Sequence, residues 1–126
     1  LVHAAAHGKT PDLDNIFFGF TDDEVDTLYI KDLARAIALL QTAEKLQYNT
    51  YNIGSGKTTT NKELVDAVKK AAPGFNVNLP PGRFPFPSIP VMQTTRLQAD
   101  TGFKPSFDVY SAVQDYVDWL KAGNPK

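Results

Sequence analysis

Tyr51-Asn52-Ile53-Gly54-Ser55-Gly56-Lys57, followed by Thr58-Thr59-Thr60, reads as a short apolar strand, a glycine turn and the approach to a helix. In α/β proteins such a junction is where ligands sit, because the carboxyl end of a strand opens into a crevice. Gly56-Lys57-Thr58 invites a phosphate-binding loop, but its neighbours argue against one. That loop needs a glycine five residues before Gly56, so that backbone N–H groups wrap the phosphates, and Tyr51 stands there. Its helix should also start at the lysine, with the N-terminus aimed at the anion. Thr60 with Glu63 forms a capping box instead, which predicts a helix start at Thr60 and leaves Lys57 in solvent.

Working outward, the helix after Thr60 carries Leu64, Val65, Ala67, Val68 and Ala71 on one face and Lys62, Glu63, Asp66, Lys69 and Lys70 on the other, and Pro73-Gly74 ends it. Upstream, Thr27-Leu28-Tyr29-Ile30 has the residue types of a strand. A helix opened by Asp32 or a neighbour follows, with Leu33, Ile37, Leu40, Ala34 and Ala38 as its apolar stripe, fading near Gln47. Thr50 to Ile53 is the next expected strand. The alternation of strand and helix predicts an α/β chain with a parallel crossover. Asn76-Val77-Asn78-Leu79 alternates as a short strand does. Thr95 to Thr101 reads as a short helix stopped by Gly102. Ser106 or Asp108 caps a last helix on which Val109, Val113, Tyr116, Val117 and Leu120 recur at helical spacing, with Trp119 at the edge of the stripe and Gly123 as the stop. Leu1 to His7 looks like the end of a helix that has no N-cap, stopped by Gly8. A helix without a start predicts a chain cut from a longer one.

Composition narrows the function classes. The 126 residues suit one domain or part of one, and 42% hydrophobic residues with a net charge of −1 suit a globular chain with no electrostatic call for nucleic acid or a membrane surface. There is no cysteine, which excludes disulfides and thiolate chemistry and fits a cytoplasmic setting. No apolar run approaches membrane-spanning length. His3 and His7 share a helix face, as zinc-binding histidines do, but nothing local offers a third ligand, so no metal is expected. Thr21-Asp22-Asp23-Glu24 with Asp26 lacks the alternating oxygens of a calcium loop and reads as a solvated turn. The aromatic run Ile16-Phe17-Phe18-Gly19-Phe20 reads as core. Pro80 to Pro90 holds five prolines, two phenylalanines and Arg83, and is neither helix nor central strand. Two readings of it stand: a stiff pocket wall with Arg83 meeting a phosphate or carboxylate, or phenylalanines on the core with Arg83 in solvent.

Four landmarks in order resemble the carboxyl-terminal part of the extended short-chain dehydrogenases/reductases (SDRs), the NAD-dependent epimerase/dehydratase family. They are Leu28 to Ile37, Tyr51 to Gly56, Thr95 to Pro105 with its Thr-Gly-Phe-Lys-Pro ending, and the final helix with Tyr116-Val117-Asp118-Trp119. The resemblance implies a substrate-binding region over residues 1–126: short parallel strands with packed helices, and the Rossmann core missing. The residues four after Tyr29, Tyr48, Tyr51, Tyr110 and Tyr116 are Leu33, Asn52, Ser55, Gln114 and Leu120. The family's catalytic Tyr-x-x-x-Lys pair is therefore not in this chain, and neither is its glycine-rich dinucleotide loop. The resemblance implies NAD or NADP as cofactor, held mainly by an absent amino-terminal half, and a small-molecule substrate such as a nucleotide sugar. It assigns no catalytic residue here.

One departure bears on the substrate. Where sugar-nucleotide epimerases often carry a diphosphate-binding arginine, this chain has Val25 followed by Asp26. Arg83 takes over that role, or the substrate is no nucleotide sugar. The expected pocket residues are Arg83 as an anion or hydroxyl contact, Phe84 and Phe86 as walls, and Asn52 at the strand end. Asp32 is expected as a helix cap and Arg96 as a surface residue. A non-enzymatic binding module on the same fold is the competing reading. So is a reductase of apolar alcohols or ketones, which Val25, Phe17, Phe18, Phe20, Phe84 and Phe86 would suit. A chain lacking its Rossmann half exposes the apolar surface that should meet it, so the isolated chain is expected to self-associate. Light scattering checks this, and a clean monomer at high concentration counts against it.

Overall fold

Thr60 starts its helix as the capping box requires: its hydroxyl accepts from Glu63 N at 3.1 Å, and the Glu63 carboxylate accepts from Thr60 N at 2.8 Å. In the computed structural model, which describes residues 1–13, 19–85 and 89–124, the elements are α1 (Val2–Ala6), β1 (Glu24–Val25), α2 (Ile30–Thr42), β2 (Thr59–Thr60), α3 (Asn61–Ala71), α4 (Thr95–Thr101) and α5 (Val109–Lys121). β1 and β2 pair in a two-stranded sheet. Among the described residues no helix is long and apolar enough to cross a membrane.

The chain divides into two compact units. The first comprises Leu1–Glu24, Thr59–Pro87 and Asp108–Lys126. Its core is helix on helix: α3 packs along α5, and α1 rests against both. Ala67, Val68 and Ala71 of α3 meet Val113 and Val117 of α5, with Ala5 of α1 in the same cluster. Asp108 caps α5, accepting from Ser111 N at 2.8 Å while Ser111 Oγ accepts from Asp108 N at 3.0 Å. Trp119 lies at the edge of the buried stripe, stacked on Tyr116.

The second unit comprises Val25–Thr58 and Ser88–Phe107. Ala36 of α2, Leu97 of α4 and Phe103 form its core, with Leu28, Leu39, Leu40, Tyr51 and Ile53 packed against it. Gly102 ends α4 at φ 69°, a backbone conformation that costs little only without a Cβ, and its N–H closes on Gln98 O.

Several expectations change. Residues 27–29 and 50–53 are not strands, and Ile30 is the first residue of α2. Leu28, Tyr51 and Ile53 still go inward, because β-type residues report half-buried surface rather than a ladder. Asn76 to Leu79 keeps its alternation, with Val77 buried, yet is also irregular. The helix after Asp32 ends at Thr42, not near Gln47, where Ala43 turns to extended backbone. Its buried face is Asp32 and Ala36 with Leu39 and Leu40, while Ala34, Ile37 and Ala38 are exposed. The buried face of the helix therefore includes the Asp32 carboxylate and only part of the expected apolar stripe.

Leu97 is fully buried. Leu97→Ala should lower stability by about 2–5 kcal/mol, and Thr60→Ala by about 1 kcal/mol through the lost cap. Urea unfolding measures both, and a wild-type midpoint for Leu97→Ala would refute the core of the second unit.

Candidate functional site

In the second unit, the glycine turn is built around the carboxylate of Asp26. It accepts from Ser55 N at 2.7 Å, Ser55 Oγ at 2.6 Å, Gly56 N at 3.3 Å and Met92 N at 3.1 Å. The N–H groups that a phosphate loop would offer to its ligand are therefore taken by an internal anion. A Cβ on Gly54 would stand 2.8 Å from Asp26 Oδ2 and 2.9 Å from Met92 Cβ, so only glycine allows this approach. Asn52 Nδ2 donates to Gln93 O at 3.3 Å, tying residues 92–93 to the turn a second time. Burial pushes the Asp26 carboxyl up, but the Ser55 hydroxyl and the N–H groups of Ser55, Met92 and Gly56 outweigh it and hold its pKa below the usual value.

Asp32 works the same way. It is 1% exposed and accepts from Ser106 N at 2.9 Å, Phe107 N at 3.0 Å and Arg35 Nη2 at 2.9 Å. Arg35 also donates to Lys104 O and to Ser106 Oγ. Here too burial raises the pKa, while Arg35, Phe107 N and Ser106 N lower it to a net depression. Asp32 is at the third position of α2, whose N-cap is Tyr29, so it does not cap its own helix as expected. It pins residues 106–107.

In the first unit, the loop carrying Arg83 is fastened to the acidic turn. Thr21 N donates to Pro80 O at 3.0 Å and Asp22 N to Gly82 O at 2.9 Å. The Asp23 carboxylate accepts from Phe20 N at 2.9 Å and Phe84 N at 2.8 Å. Arg83 Nη2 pairs with Glu24 Oε1 at 2.9 Å. Phe20 and Phe84 face each other with ring centroids 6.2 Å apart. They line a cleft of about 250 Å3 with Leu13, Gly19, Leu79 and Pro80.

Arg83 and Phe84 thus share one loop and are set by the same turn. Asn52 belongs to the other unit, where its amide is engaged with backbone. Phe86 lies outside the described residues, as do Phe17 and Phe18. Arg96 is on the surface as expected, its guanidinium 4.4 Å from the centre of the Tyr48 ring. The acidic run is not a solvated turn, since Asp23 is 4% exposed and Asp26 is half-buried. Glycine-flanked N–H groups on one side and an acidic run on the other were the available signal that the two would meet.

No family model matches the sequence, and no curated protein matches it. Solved structures match it closely in shape. A partial consensus L-threonine 3-dehydrogenase is 26% identical, at a TM-score of 0.72 over 96% of this chain and 40% of that one. The UDP-glucose 4-epimerase of Thermus thermophilus, solved with NAD, is 24% identical, at 0.72 over 98% and 39%. The Bordetella bronchiseptica enzyme WbmF, solved with NADH, is 21% identical, at 0.74 over 97% and 35%. The fold is that of the carboxyl-terminal part of extended SDRs. This extended-SDR fold spans nearly all of the chain but only about 35–40% of the length of these matched enzymes.

Asp26 and Asp32 both have folded pKa values below that of an unfolded aspartate, near pH 4. Each binds fewer protons when folded, so its contribution is full above that pH and is lost as pH falls through the lowered folded value. Asp26→Asn should be less stable than wild type at neutral pH, with the gap narrowing in acid. Urea midpoints measured against pH decide this, and parallel curves would exclude the linkage. Gly54→Ala should also destabilise, through the close approach described.

Proposed function

We propose that this chain is the substrate-binding part of an NAD(P)-dependent oxidoreductase or isomerase of epimerase, dehydratase or reductase type. What carries this reading is the match of almost the whole chain to a third or more of several enzymes whose structures were solved with NAD or NADH. The dinucleotide, which accepts or supplies the hydride when bound, and the proton-transferring groups would come from polypeptide beyond that share. This chain then binds and orients the substrate and excludes water; it has no catalytic step of its own. Arg83 is the hydroxyl or anion contact and Phe84 a wall beside Phe20, with Phe86 assigned to the same wall from sequence. Asn52 acts through the backbone of residues 92–93.

Two substrate classes compete. A nucleotide sugar is favoured by neighbours such as the Thermotoga maritima UDP-glucose 4-epimerase, solved with UDP-glucose, and the Bifidobacterium longum UDP-glucose 4-epimerase, solved with UDP. A small alcohol or ketone without a nucleotide is favoured by Val25 in place of a cation and by the apolar cleft at Phe20 and Phe84.

The test uses the polypeptide encoded by the complete reading frame. It should bind NAD(P)H and show dinucleotide-dependent turnover with one of these classes. Arg83→Ala should raise KM roughly tenfold, the scale of one hydrogen bond from a charged donor. No dinucleotide binding would leave a non-enzymatic binding module. An unchanged KM would remove Arg83 from the site.

A further inference from the structure

The Arg83 guanidinium already holds an anion. Glu24 Oε1 lies 2.9 Å from Nη2, and the two side chains are 26% and 45% exposed, so the pair sits where a ligand can reach it. The next residue on the loop, Phe84, gives its N–H to the buried Asp23 carboxylate, and Asp22 holds Gly82 through its own N–H. The loop is thus fastened on both sides of Arg83 to the acidic turn, and the carboxylate that meets the cation is that of Glu24. A phosphate or diphosphate approaching Arg83 must either displace Glu24 or share the guanidinium with its carboxylate. Two anions sharing one guanidinium repel by an amount that is modest in water and larger beside a low-dielectric wall. Phe84, the next residue in the chain after Arg83, lines an apolar cleft with Phe20, Leu79 and Pro80. An uncharged hydroxyl or carbonyl group faces no such repulsion. It can accept from the guanidinium without breaking the pair, because a guanidinium has five N–H donors and the bond to Glu24 runs through Nη2.

We propose that Glu24 is a specificity-determining residue that turns this site against nucleoside diphosphates and toward uncharged, partly apolar alcohols or ketones. The assignment rests on the reading of this region as a substrate-binding part and names the substrate class for it. Glu24 acts through Arg83, as the built-in competitor for its charge.

The experiment is UDP binding by calorimetry to the complete polypeptide, compared between wild type, Glu24→Gln and the double variant Glu24→Gln/Arg83→Ala. Glu24→Gln keeps the shape and one oxygen acceptor but removes the charge. It should tighten UDP about tenfold at low ionic strength, less as salt is added, and the double variant should lose that gain. The ratio of kcat/KM for UDP-glucose to that for an uncharged secondary alcohol should rise in parallel. Equal UDP affinity in wild type and Glu24→Gln overturns the proposal. So does a gain that survives Arg83→Ala, since the competitor would then act on something else. These outcomes stand apart from the enzymatic reading, which fails on the absence of dinucleotide binding and turnover whatever UDP does.

Discussion

Backbone N–H groups in the loops are satisfied by aspartate carboxylates, and the rest of the structure depends on that arrangement. Among the described residues the sheet is two strands of two residues each, so a ladder cannot take up the donors of residues 20, 55, 56, 84, 92, 106 and 107. Those at Phe20, Ser55, Phe84 and Phe107 belong to half-buried residues, where a donor needs a partner. Asp23 takes Phe20 and Phe84; Asp26 takes Ser55, Gly56 and Met92; Asp32 takes Ser106 and Phe107. A carboxylate suits this role because it accepts at several lone pairs at once and can join segments distant in sequence. Each such bond to a charged acceptor is also stronger than its neutral counterpart.

The same economy of charge shapes what the site can do. The glycine turn has the form of an anion receptor, but its anion is Asp26, so the turn is a structural joint rather than a phosphate cradle. The cation of the proline-rich loop is likewise met from within, by Glu24. Asp23 holds the backbone of Phe20 and Phe84, two residues that line the apolar cleft.

The helices were legible because their signals are local. Thr60 with Glu63 and Asp108 with Ser111 form caps within four residues, and Gly102 stops α4 where a positive φ is required. The α3 and α5 stripes bury as their spacing implies, since both faces are apolar throughout. The strands were not legible in the same way. Residues 27–30 and 50–53 have the right composition, but composition measures burial, and a strand also needs a partner in register. The α2 stripe misled for a related reason: a hydrophobic pattern cannot show that Asp32 is buried while Ile37 and the alanines beside it are exposed. Within the candidate site, Arg83 and Phe84 stood out because a basic residue and an aromatic in a proline-rich loop are unusual. Asp23 and Asp26 did not, because an acidic run looks solvated until its donors are known.

The amino-acid sequence by itself determined the positions of the helices, the caps and inner faces of α3 and α5, the cysteine-free chemistry and the order of landmarks shared with the extended-SDR fold. Those follow from interactions between residues a few positions apart. Only the tertiary structure decided which carboxylates are internal acceptors, which face α2 buries and that Glu24 occupies Arg83. Those pairings join residues separated by up to 75 positions, as Asp32 and Phe107 are. Residue type states what a group needs, and folding in three dimensions decides which distant group supplies it.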